Sequence, residues 1–146
     1  MTQAATTLNA LVQTARDGLD FYTEAAARVR NPQLKILFRA LIDAKHQLIS
    51  ALSEEVRVRG EAPSREHTLA GNLRQLYAGL RAHLGDGGDY RYVAELERAE
   101  DRLLAAFEQA ARDADDAALR RVIEAHLPRV RRCHEQMRNL KLALAA

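Results

Sequence analysis

The stretch LERAEDRLL, residues 96–104, places Glu100 between Leu96, Leu103 and Leu104. At about 100° per residue these leucines share one helix face, so the carboxylate points where a core would be. A buried carboxylate needs a cation, hydrogen-bond donors or a metal, because an isolated charge in an apolar interior is very costly. Three other groups answer that need by phase. Lys45 falls near the centre of the stripe Leu34, Leu37, Phe38, Leu41, Leu48, Ile49, Leu52 and Val56. His126 and His134 fall inside the stripe Leu119, Ile123, Leu127, Val130, Cys133 and Met137, with Arg131 on its flank. Tyr22 sits near the centre of the stripe of the first helix. The same phase turns Asp17, Asp20 and Glu24 to the opposite side, Asp101 outward and Glu97 onto a flank.

We therefore expect a buried polar cluster of Lys45, Glu100 and His134, extended by Tyr22 and His126. Its members lie near mid-helix, within about one turn of a common level. Three readings of the cluster remain open at this point. It is a polar layer that sets helix register, or it holds a metal through Glu100, His134 and His126, or the helices are rotated and some of these groups reach water. A second pair, Asp43 and His46 in DAKH, imitates the Glu-x-x-His metal motif of di-metal bundles. Both face away from the leucine stripe and would ligate only if that face were buried in a dimer. Cys133 and His134 are adjacent and diverge by about 100° on a helix, so the thiol reads as inert and buried. The chain has no phosphate-binding glycine loop, CxxC pair or nucleophile elbow.

Five helical segments would position these residues. The first spans about 7–29. Asn31 and Pro32 then supply an N-cap and first-turn proline for a second over 32–59, stopped by Gly60. Residues 68–84 read as a shorter amphipathic helix inside a long connection, and GDGGD at 85–89 is a break. The last two long segments are 90–114 and 116–144, the latter carrying Pro128, expected to weaken or kink it. Two tight hairpins joined by one long crossover predict an all-α, ferritin-like four-helix bundle with a short crossover helix, one domain over 1–146.

Composition agrees with such a fold. Of 146 residues, 47% are hydrophobic and 29% charged, with few Gly and Pro, which excludes a disordered or fibrous chain. No apolar run nears the roughly 20 residues of a membrane span, and no secretory leader opens the chain. One cysteine excludes an internal disulfide and fits a reducing cytoplasm. Of the 22 basic residues only Lys35, Lys45 and Lys141 are lysines. Arg120, Arg121, Arg129, Arg131, Arg132 and Arg138 gather on the last helix. They offer a nucleic-acid face or, favoured by the small net charge of +2, a solvated face with local ion pairs.

LNALVQTARDGLDFY (8–22), NPQLKILF (31–38), LAGNLRQLY (69–77), ELERAEDRLLAAFEQA (95–110) and CHEQMRNL (133–140) together resemble the PA2169 family, uncharacterised bacterial ferritin-like four-helix bundles classed as a domain of unknown function. The wider ferritin-like superfamily implies a di-metal carboxylate site, with one Glu on each of two helices and Glu-x-x-His on each of the others. Carried onto this chain, the pattern is incomplete. Glu100 matches. His134 matches a histidine, but Arg131 stands three residues earlier where Glu is expected. The first helix has no inward acid, and the second offers Lys45. The resemblance thus implies a bundle without a complete di-iron centre and without a cofactor, in which Lys45 replaces the charge of the metals. The function expected is a non-enzymatic structural or interaction module, stress-related, acting as a homodimer. The alternative is a metal-binding oxidoreductase-like or metal-storage protein using Fe or Mn at Glu100, His134 and His126.

Overall fold

A computed structural model describes residues 2–66 and 88–145. Among them are four helices and no strand: α1 (Gln3–Arg28), α2 (Pro32–Val58), α3 (Asp89–Asp113) and α4 (Ala117–Ala145). They form a four-helix bundle. The helix expected over 68–84 lies outside the described residues.

Local chemistry explains the ends. Thr2 caps α1, its side chain accepting from the Ala5 amide at 3.1 Å, which starts the helix earlier than periodicity suggests. Asn31 accepts from the Gln33 amide at 2.8 Å and Pro32 opens α2. Gly60, at φ +78°, follows the end of α2 in the left-handed region that glycine adopts without strain. Asp116 caps α4 by accepting from the amides of Ala118 and Leu119. Arg120 reaches back to donate to the Ala111 and Ala114 carbonyls, left without partners at the end of α3. Pro128 lies inside α4 on its exposed side, and the helix runs through it. A proline there removes one hydrogen bond where water can replace it.

Two apolar clusters make the core, and their membership gives the helix directions. One gathers the first half of α1 (Leu8, Leu11, Val12), the last half of α2 (Leu48, Leu52, Val56), the last half of α3 (Leu103, Phe107) and the first half of α4 (Leu119, Ile123, Leu127). The other gathers Phe21 and Tyr22, then Leu34, Phe38 and Leu41, then Tyr92, Val93 and Leu96, and finally Cys133 and Met137. So α1 and α4 run one way, and α2 and α3 the other. At the second cluster's end, Asp89 accepts from the backbone amides of Arg30 at 2.8 Å and Asn31 at 2.9 Å, tying the α1–α2 turn to the start of α3. At the opposite end, buried Asn9 accepts from the Ser64 amide at 2.8 Å and donates to the Ala62 carbonyl, holding the chain after α2 along α1.

One phase reading is corrected here. Asp17, expected on the outer side of α1, is buried at 3% exposure. α1 packs against both α2 and α3, so its buried arc is wider than its apolar stripe.

Candidate functional site

The boundary between the two apolar clusters falls in the middle of the bundle. It is crossed at Gly18 on α1, Lys45 on α2 and Glu100 on α3. Lys45 and Glu100 meet there. Lys45 Nζ lies 2.6 Å from Glu100 Oε1, with the two side chains 2% and 0% exposed. A Cβ on Gly18 would stand 3.7 Å from Lys45 Cε, so the missing side chain leaves α1 close against the lysine stem. The ammonium also lies 5.6 Å from the centroid of the Tyr22 ring, a cation–π contact. Tyr22 in turn packs edge-on against Phe38, with ring centroids 6.0 Å apart.

Electrostatics follow from burial. Desolvation pushes the Glu100 carboxyl above the usual carboxylate range, and the Lys45 ammonium, then nearby His134 and the Tyr22 hydroxyl, pull it back only in part. Removing a carboxylate from water costs several kcal/mol, which here outweighs a short contact with a single cation. Burial and the facing Glu100 charge raise the Tyr22 phenol well above its ordinary value, so it stays neutral. Burial likewise raises the Cys133 thiol against the opposing pull of Lys45, which fits an inert sulfur beside the pair.

The remaining sequence candidates are placed differently. His134 is buried, but its Nε2 turns to the α3 flank, in direct contact with Asp101 Oδ1 and 3.9 Å from Glu97 Oε1. Lys141 Nζ approaches the other oxygen of Glu97 at 3.6 Å. His126 is half-buried, and burial followed by Arg129 lowers its pKa while Glu55 opposes. Glu100, His134 and His126 therefore do not converge. Among the described residues, one group of three brings possible ligand atoms together, Glu97, Asp101 and His134, within 4.8 Å of one another. Phase missed it because the angle of a residue to its own core says nothing about a neighbouring helix. The legible signal was the i, i+4 spacing of Glu97 and Asp101, which puts both on one face. Asp43 and His46 are exposed, as are Arg120, Arg121, Arg131, Arg132 and Arg138.

A di-metal centre of the kind the ferritin-like resemblance implies does not fit the middle of this bundle. It would need several inward carboxylates converging with histidines. At that level the Glu100 carboxylate is in direct contact with an ammonium, Gly18 faces the lysine stem with Asp17 buried beside it, and His134 turns away to Asp101. The ammonium would repel the cations and already neutralises the acid.

No helix among the described residues is long and apolar enough to cross a membrane. No curated protein and no solved structure matches the chain. The family model described as Domain of unknown function (DUF2383) matches residues 3–113, from the start of α1 through the end of α3 and so across both Lys45 and Glu100, and the chain belongs to that family.

Proposed function

We propose that this chain is a ferritin-like bundle whose central Lys45–Glu100 ion pair takes the position of a di-metal centre, and that it works as a non-enzymatic structural or interaction module. The carrying observation is the 2.6 Å contact between two almost fully buried opposite charges at the level that divides the core. Such a layer fixes helix register, since sliding one helix by a turn would bury each charge alone. Ferritin-like connectivity is supported by the helix directions. α2 ends and α3 begins at opposite ends of the bundle, as that connectivity requires. The resemblance to the bacterial PA2169 family supports the same reading.

A homodimer in the cytoplasm is the assembly proposed. Its support is the exposure of Ile36 on α2 with Leu142 and Leu144 on α4, at the same end of the bundle. Sedimentation velocity at micromolar concentration is expected to give twice the mass of 16.3 kDa; a monomer removes the dimer.

The central reading is tested by metal analysis of tag-free protein prepared without chelators, followed by anaerobic loading with Fe(II) or Mn(II). We expect no paired-metal centre and no oxygen-dependent ferroxidase turnover. Two ions per chain, or turnover abolished by Glu100→Gln, would overturn it in favour of a metal-dependent oxidoreductase or storage protein.

A further inference from the structure

We propose that Glu97, Asp101 and His134 form a site for a single divalent transition-metal ion at the α3–α4 seam, and that Lys141 is the group that leaves Glu97 when the ion enters. This goes beyond the structural role of the central pair, and the two sites face different ways. Glu100 points to the bundle centre, whereas Glu97 and Asp101, one turn apart on α3, flank it on the side towards α4.

The geometry is close to a coordination sphere. Donors about 2.0–2.2 Å from an ion stand roughly 3–3.5 Å from one another. His134 Nε2 is in contact with Asp101 Oδ1 and 3.9 Å from Glu97 Oε1, and the set spans at most 4.8 Å. Side-chain adjustments below about 1 Å would seat an ion between them. The imidazole comes from a different helix than the carboxylates, so the donors converge from two walls. The His134 ring is held in the interior, its side chain 10% exposed, while its Nε2 is aimed at the acids.

Burial also gives the site an entrance. Glu97 and His134 are about nine-tenths buried, but the Asp101 side chain is 55% exposed, so an ion can arrive through water and keep water in its open positions. One imidazole and two carboxylates suit borderline first-row divalent ions such as Zn²⁺, Fe²⁺ and Mn²⁺. Lys141 Nζ, 3.6 Å from Glu97 Oε2, supplies positive charge to this carboxylate from a half-buried position near the end of α4. Its long flexible stem lets it withdraw to water.

The test titrates tag-free, chelator-stripped full-length protein with Zn²⁺ by calorimetry and with Co²⁺ by visible absorption. One ion per chain is expected, with Co²⁺ ligand-field bands. Asp101→Asn, an exposed change that leaves the fold intact, should weaken binding at least tenfold, and His134→Ala should abolish it. Lys141→Ala should tighten binding, because the competing cation is gone; a merely structural Lys141 would not produce that sign. No saturable uptake, retention of wild-type affinity in both Asp101→Asn and His134→Ala, or weaker binding in Lys141→Ala would each overturn the site. A stoichiometry of one lost with Asp101→Asn leaves the central ion-pair reading intact, whereas two ions per chain count against that reading.

Discussion

Glu97 and Glu100 are three residues apart on one helix, yet they live in different media. Glu100 is fully buried and has one fixed cationic partner, Lys45. Glu97 is at the seam, with His134, Lys141 and the exposed Asp101 around it. A carboxylate deep in the core must carry its neutralising group permanently, because no solvent can substitute for it. A carboxylate at the seam can exchange partners, because water is one side chain away. The first arrangement specifies structure and the second leaves room for a ligand.

The largest expected effect breaks the central pair. Lys45→Met leaves Glu100 buried without its cation, and we expect a loss of about 3–5 kcal/mol in urea unfolding. Lys45→Met with Glu100→Leu removes both charges and should regain most of that loss. A double variant as unstable as the single one would show that shape, not charge, dominates the layer.

The pH dependence of the same variant is the next test. Glu100 has a raised pKa when folded, so it takes up a proton more readily in the fold than in the unfolded chain. Its contribution to stability is fully present below the ordinary carboxylate value and is lost as pH rises through the folded one. Without Lys45 that folded value rises further, so the deficit of Lys45→Met against wild type should widen as pH rises from the ordinary carboxylate range. A deficit that narrows as pH rises would contradict the burial argument.

At the seam the expected effects are smaller. His134→Ala removes a buried ring and should lower stability by about 1–2 kcal/mol. Asp101→Asn should stay within about 0.5 kcal/mol, as for most exposed polar changes. A large loss from Asp101→Asn would make the seam as structural as the centre. An effect of opposite sign sits beside Lys45. A Cβ at Gly18 would make ordinary van der Waals contact with the lysine stem at 3.7 Å, so Gly18→Ala should raise stability by about 0.5–1 kcal/mol through helix propensity. Gly18→Leu should destabilise instead, by forcing α1 away from the pair.

Much of the architecture was readable in the chain. Asn31 with Pro32, Gly60 and Asp116 mark helix ends because their side chains or backbone freedom satisfy groups left over there. Helical phase placed Lys45 and Glu100 inward, and both are buried. It misread Asp17, since a helix with two neighbours buries flank residues too, and it assigned His134 to Glu100 although the ring turns to Asp101 and Glu97.

What the sequence determined by itself is the four long helices and the apolar stripe each turns to its core, because both depend on local periodicity and local caps. Partnership was decided by the tertiary structure. Whether Glu100 meets a cation, whether His134 reaches the centre or the seam, and whether Glu97 and Asp101 act together depend on the rotation and height of one helix against another. Those are fixed by packing across the whole core, a non-local balance that no single helix encodes.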